Sequence, residues 1–170
     1  MDKEIVNKVA QSPLVSIDLK EFYPTDSEYV LVDIADYLYE RLILKEKDFR
    51  QALKNIDYSK YKDKYVGIFC SEDAIIPQWA YLLFVIHLHP FAKKVFWANE
   101  NELIQKIILH KIEFLDLSKY EDKPVVIKGC SDVKISIEAY MLLVDRLINV
   151  AKSVMYGEPC STVPLYKRKV

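Results

Sequence analysis

Residues 66–81 read VGIFCSEDAIIPQWAY and residues 125–140 read VVIKGCSDVKISIEAY, and the two stretches follow one pattern. A shift of 59 residues aligns 57–98 with 116–157 without a gap, and 18 of these 42 positions are identical. Self-similarity over this length indicates that one structural unit has been duplicated within the chain.

Each copy of the repeat predicts a β-α-β unit. A β-rich run comes first, YVGIF at 65–69 and PVVIK at 124–128. A helix follows, in which shared apolar residues at spacings of four, three and four predict one buried face. These residues are Tyr81, Val85, Leu88 and Ala92 in the first copy and Tyr140, Val144, Leu147 and Ala151 in the second. A second β-rich run, at 95–98 or 154–157, closes each copy, so a right-handed crossover is expected.

The other segments also alternate between strand and helix patterns. PLVSIDL and YVLVDIA are typical of strands, EKDFRQALKNI of a helix, and Asn99 with Glu102 resembles a capping box. The alternation predicts an α/β fold: a layered, largely parallel sheet with helices on its faces, antiparallel at the N-terminal edge. We expect a single domain over 1–170, with N-terminal strands and a helix in 1–56, the first repeat in 57–115, and the second repeat with the tail in 116–170.

Composition excludes several classes of protein. The formal net charge is −1, whereas nucleic-acid binders normally carry a basic face. The longest apolar run is too short to span a bilayer and the start does not resemble a signal peptide, so we expect a cytoplasmic protein without membrane contact. Three glycines cannot form a P-loop, a dinucleotide turn or a nucleophile elbow, and no catalytic residues are predicted.

All three cysteines, Cys70, Cys130 and Cys160, follow predicted strands. Sites in open α/β sheets form outside the carboxyl ends of the strands, so we expect the thiols at one edge, within about 10 Å if the strands are neighbours. Three thiolates suit zinc or iron, including iron–sulfur species, whereas a reactive thiol with a resolving partner suits redox chemistry or sulfur transfer. The alternative is that the cysteines only pack, as free cysteines often do.

Four polar residues accompany these thiols. Ser71 and Ser131 directly follow Cys70 and Cys130. Glu158 precedes Cys160 by two residues and would supply a carboxylate ligand or a turn residue. Asp33 ends a predicted strand and would either face the same edge or cap the following segment.

Four stretches resemble motifs of the bacterial family labelled domain of unknown function 2480: LILKEKDFR (42–50), CSEDAIIPQWAY (70–81), IKGCS (127–131) and YGEPCSTVPLYKR (156–168). The resemblance covers essentially the whole chain, and the last motif is the most specific. The resemblance implies no particular biochemical activity, because none is known for the family. It implies a connection with iron–sulfur assembly, with Cys130 and Cys160 as the thiols to test.

Three functions stay open at this point. The first is a thiol-site protein that is accessory to metal or iron–sulfur handling. The second is a non-catalytic module that binds a protein partner or forms a homodimer, with purely structural cysteines. The third is an enzyme that uses one activated thiol, although no neighbouring base is evident in the sequence.

Overall fold

The computed structural model describes residues 14–129, 132–158 and 160–169, and it confirms the α/β class. The helices are α1 Glu46–Lys54, α2 Gln78–Leu88, α3 Glu100–Glu113 and α4 Ile137–Leu147. The strands are β1 Val15–Asp18, β2 Tyr29–Asp33, β3 Tyr65–Phe69, β4 Lys94–Trp97, β5 Pro124–Lys128, β6 Ser153–Glu158 and β7 Ser161–Lys167. Short 3-10 helices cover Leu19–Phe22, Ile34–Tyr37, Tyr58–Tyr61 and Ser118–Tyr120.

The described strands form two sheets rather than the single sheet expected from the sequence. One has the order β1-β5-β6-β7 and the other β2-β3-β4. Every pair is parallel except β6–β7, so the expected antiparallel N-terminal edge is wrong and the antiparallel strand lies at the other end of the chain. β7 was not predicted from the sequence, because Pro164 interrupts its pattern and proline is tolerated within a sheet mainly on edge strands.

Contacts divide the chain into two compact units. The middle unit is Pro24–Ile107 and contains the sheet β2-β3-β4. The terminal unit combines the residues up to Tyr23 with those from Ile108 onward and contains the sheet β1-β5-β6-β7. Each unit holds one β-α-β repeat.

The duplication extends to the register of the strands. Val66 pairs with Val95 in the middle unit, and the equivalent Val125 pairs with Val154 in the terminal unit. In both copies the crossover helix buries three equivalent positions against its sheet. They are Ala80, Phe84 and Leu88 on α2, and Ala139, Leu143 and Leu147 on α4.

This buried stripe differs from the predicted face at its first positions. Tyr81 and Tyr140 are half-buried, Val85 is 42% exposed and Val144 is half-buried. The core positions begin one residue earlier and follow at a spacing of four. The predicted face is therefore confirmed at Leu88 and Leu147 and wrong at Val85, whereas Tyr81 packs at the edge of the core.

The predicted capping box is confirmed, and a serine caps the second crossover helix. The Asn99 N–H donates to Glu102 Oε2 at 3.0 Å, and the Glu102 N–H donates to Asn99 Oδ1 at 3.1 Å, a reciprocal capping box. Ser136 Oγ accepts a hydrogen bond from the Ala139 N–H at 3.4 Å at the start of α4. These bonds satisfy backbone donors that the first turn of a helix leaves open.

Arg146 connects α4 to the end of α3 and to the segment just after it. Its Nη1 donates to the carbonyl oxygens of Ile112 and Leu115, at 2.5 and 3.0 Å. The equivalent residue of the first repeat is His87, whose ring stacks on that of Tyr58 with centroids 5.8 Å apart. The two copies thus use the same helix position for different contacts.

We predict that Arg146→Met lowers the free energy of unfolding by about 2–3 kcal/mol, because it leaves two half-buried carbonyl groups without their charged donor. Arg50→Met is the matched control. Arg50 forms an exposed pair with Glu46 on α1 and lies over the Trp79 ring, 5.9 Å from its centroid. Both contacts are weak, so its loss should cost at most about 1 kcal/mol. Urea unfolding measures both values, and equal losses would contradict the role given to Arg146.

Alkaline pH should lower the stability of the middle unit, because two of its tyrosines are kept neutral in the folded state. Burial, reinforced by neighbouring Tyr61, raises the pKa of Tyr37 to about 12 and that of Tyr58 to about 12. The folded state therefore keeps both phenols neutral at a pH where the unfolded chain ionises them, near 10. We predict that the free energy of unfolding falls between pH 10 and about 12 and that Tyr37→Phe makes the fall shallower. Urea titrations across this range test it, and an unchanged slope in the variant would contradict it.

Candidate functional site

Asp33 ends β2 and is held by groups of the middle unit. Its carboxylate accepts hydrogen bonds from the Ala35 N–H at 2.9 Å and from the Ser71 N–H at 3.0 Å. Partial burial opposes ionisation, but hydrogen bonds from Ser71 and Ala35 outweigh it and lower the pKa of Asp33. The ionised carboxylate therefore caps the next 3-10 helix and connects the ends of β2 and β3.

Arg41 belongs to the same cluster as Asp33 and Ser71. No motif in the sequence indicated a role for this arginine. Its guanidinium donates to Glu72 at 2.7 Å and to Ser71 Oγ at 3.3 Å, and Asp36 lies at 3.5 Å. The hydrogen bond to Glu72 raises the pKa of Arg41. These side chains are exposed, so the cluster is a surface charge network and does not provide a buried acid or base.

Cys70 follows β3, as predicted, and lines a cavity of about 240 Å³ in the middle unit. The thiol is half-buried and donates to the carbonyl oxygen of Glu72 at 3.4 Å. Burial raises the pKa of Tyr81 in the same cavity, and the nearby Cys70 adds to the rise. Asn99 and Glu102 also line the cavity, but the capping box engages their side chains. The space is small and offers one thiol and one phenol.

Cys160 is exposed in the turn between β6 and β7 of the terminal unit. Glu158 ends β6 and lies 3.8 Å from the ammonium group of Lys128 at the end of β5. Gly157 has a φ of 122°, a conformation that side-chain-bearing residues rarely adopt. A Cβ there would also lie 2.6 Å from the carbonyl oxygen of Ser161. Glycine is therefore needed to bring the chain into this hairpin.

Among the described strands, the single sheet on which the three cysteines were expected to meet is not observed. Cys70 follows a strand of the sheet β2-β3-β4, whereas Cys160 follows a strand of the other sheet. Cys130 and Ser131 lie outside the described residues. Within the ranges that the structure describes, no three or more His, Cys, Asp or Glu side chains are grouped to hold a metal ion.

An apolar groove of about 730 Å³ lies between α4 and the strands β5, β6 and β7 of the terminal unit. Its lining residues are Ile127, Ile137, Tyr140, Met141, Val144, Asp145, Ile148, Tyr156 and Leu165. Only Asp145 among them is charged. Ile137 is 73% exposed, Met141 66% and Leu165 50%. The groove is thus an open, hydrophobic surface rather than part of the core.

Two tyrosines form the polar end of the apolar groove. The rings of Tyr140 and Tyr156 meet edge to face, with centroids 5.9 Å apart. A Cβ on Gly129 would lie 2.6 Å from the Tyr156 hydroxyl and 3.4 Å from the Tyr140 hydroxyl. The absence of a side chain at Gly129 therefore leaves room for the Tyr156 hydroxyl at the end of β5.

The apolar groove was not found from the sequence, because Tyr140 and Val144 were assigned to the core. The sequence of α4 nevertheless contains a pattern that indicates the groove. Residues 137, 140, 141, 144 and 148 form a second apolar stripe, beside the buried stripe at 139, 143 and 147. A helix that is apolar on two adjoining faces has more hydrophobic surface than one sheet covers.

Comparisons with known proteins identify a family but no characterised relative. No helix among the described residues combines the length and the apolar character that crossing a membrane requires. No curated protein and no solved structure shows significant similarity to the chain. The model of the family described as "Protein of unknown function (DUF2480)" matches residues 3–168. Because this match covers almost the whole sequence, the chain belongs to the DUF2480 family.

Proposed function

We propose that the protein is a non-catalytic interaction module that binds a helix of a partner protein in the apolar groove. The observation that carries the proposal is the open groove of about 730 Å³, in which Asp145 is the only charged lining residue. Contiguous apolar surface of this kind commonly marks an interaction site. The residues that line the groove include no cysteine, histidine, lysine or arginine, and the carboxylate of Asp33 is engaged in hydrogen bonds to backbone N–H groups.

A helix suits the shape of the apolar groove. The lining residues of α4 run from Ile137 to Ile148, a length of about 17 Å or three helical turns. A partner helix would place apolar side chains against this stripe at the usual spacings of three and four. Burial of Ile137, Met141 and Leu165 would contribute roughly 1–2 kcal/mol each.

Strand addition at β7 is less suitable. β7 is an edge strand, which in principle offers backbone groups to another strand. Pro164 in its middle lacks an N–H, and Lys167 adds a charge at its end. Both features are typical of edges that avoid strand pairing. We therefore place the contact in side-chain packing within the groove.

The partner should be captured by a photocrosslinker at the groove. With p-benzoylphenylalanine in place of Met141, we predict one adduct of defined mass in the native cells, whose partner peptides mass spectrometry identifies. The matched control carries the same residue at Gln51, an exposed position on α1, and should give no such adduct. Leu165→Glu should lower the yield at least about fivefold, because it places a charge in the groove, and circular dichroism should show an unchanged fold.

Two results would contradict this proposal. One is an equal adduct pattern at positions 141 and 51, or no adduct at 141. The other is an adduct made of two copies of this chain, with light scattering showing a dimer. That outcome would replace the partner helix with self-association.

We also propose a second candidate function, a thiol site formed by Cys130 and Cys160 that binds zinc or iron. It is favoured by the pairing of β5 with β6, which are adjacent and parallel. Cys130 follows the last residue of β5 by two positions in the sequence, and Cys160 follows the last residue of β6 by two. The carboxyl ends of neighbouring parallel strands meet at one edge, and Glu158 at the end of β6 would add an oxygen ligand.

Metal titration separates this second function from the first. Under reducing conditions we predict that the protein binds one Zn²⁺ or Fe²⁺ per chain, and that Cys130→Ser and Cys160→Ser each weaken the affinity at least tenfold. Cys70→Ser is the matched control and should change nothing, because the proposed site does not include Cys70. Failure to bind either ion, or an equal loss in Cys70→Ser, would contradict the thiol site. The groove proposal does not depend on the result.

A further inference from the structure

We propose that the partner helix carries a row of Lys or Arg residues beside its apolar stripe. This inference rests on the proposed function and specifies the chemistry of the partner. A second groove of about 500 Å³ runs next to the apolar groove on the other side of Met141. Its lining residues are Leu109, Glu113, Glu138, Met141, Leu142 and Asp145, and we call it the acidic groove.

Met141 and Asp145 line both grooves, so the two form one continuous surface. On α4, Glu138, Met141 and Asp145 follow one another at spacings of three and four, which places them on the same side of the helix. Ile137 and Val144 lie on the apolar side. The outer surface of α4 therefore presents an apolar stripe with an acidic row along one edge.

The acidic row consists of Glu113, Glu138 and Asp145, and all three side chains are exposed. Among the residues that the structure describes, none of these three carboxylates forms a salt bridge. Neither groove is lined by Lys, Arg or His. Other exposed carboxylates, such as Glu46, Glu72 and Asp122, do pair with an arginine. The three carboxylates are therefore available to a cationic partner.

The charge also selects the class of partner. An anionic lipid surface or a nucleic acid would be repelled by three carboxylates beside the apolar groove. A helix with Lys or Arg along one edge would place its ammonium or guanidinium groups in the acidic groove while its apolar residues fill the other. Such complementarity raises the association rate and fixes the direction in which the helix lies.

Two synthetic helical peptides test the inference by fluorescence anisotropy. They share one apolar stripe of Leu and Ala, and one peptide has Lys at the flanking positions where the other has Glu. At about 50 mM salt we predict that the Lys peptide binds at least tenfold more tightly, and that about 300 mM salt reduces the difference. The double variant Glu138→Gln/Asp145→Asn should reduce the preference to about twofold.

The matched control is Asp48→Asn/Asp73→Asn, which removes the same charge from exposed positions in the middle unit and should keep the tenfold preference. A preference that survives in Glu138→Gln/Asp145→Asn would overturn the inference. Equal binding of both peptides that is lost in Leu165→Glu would also overturn it, but would leave the groove as an interaction site. If neither peptide binds the wild-type protein, the proposed function fails together with the inference.

Discussion

Two neighbouring parallel strands need a crossover connection, and burial of the crossover helix on its strands holds each unit of this protein together. In both copies the helix places an alanine, a larger apolar residue and a leucine, four residues apart, against its sheet. The strands on either side keep the same register, Val66 with Val95 and Val125 with Val154. The outer face of the helix is free of this constraint, and the candidate binding surface lies there.

The repeat made much of the fold predictable from the sequence. Periods of two and of three to four residues distinguish strands from helices, and capping residues such as Asn99 and Ser136 mark where helices begin. Periodicity does not say which strands pair, so the division into two sheets was not predictable from it. β7 was not predicted from the sequence for a different reason. It follows the second repeat, has no counterpart in the first, and contains Pro164, which argues against a strand except at an edge.

The candidate site was less predictable than the fold, and for physical reasons. The rule that sites form at strand ends placed Cys70 and Cys160 after β3 and β6, but it assumes that the strands share one sheet. The apolar groove was missed because an apolar residue on a helix is ordinarily assigned to the core. Tyr140 and Val144 are apolar, recur in both copies and flank the buried stripe, so the pattern alone does not separate them from core residues.

The two copies differ most where packing does not constrain them. On α2 the outer positions 82 and 86 are Leu82, 61% exposed, and Ile86, 66% exposed, whereas the equivalent positions on α4 are Met141 and Asp145. The apolar groove also needs β7, whose Leu165 forms one of its walls, and the three-stranded sheet of the middle unit has no such strand. A shared crossover thus supports two different surfaces. The β6–β7 hairpin and Asp145 together give the second copy a groove with a charged edge. Packing of the hydrophobic core does not require either feature.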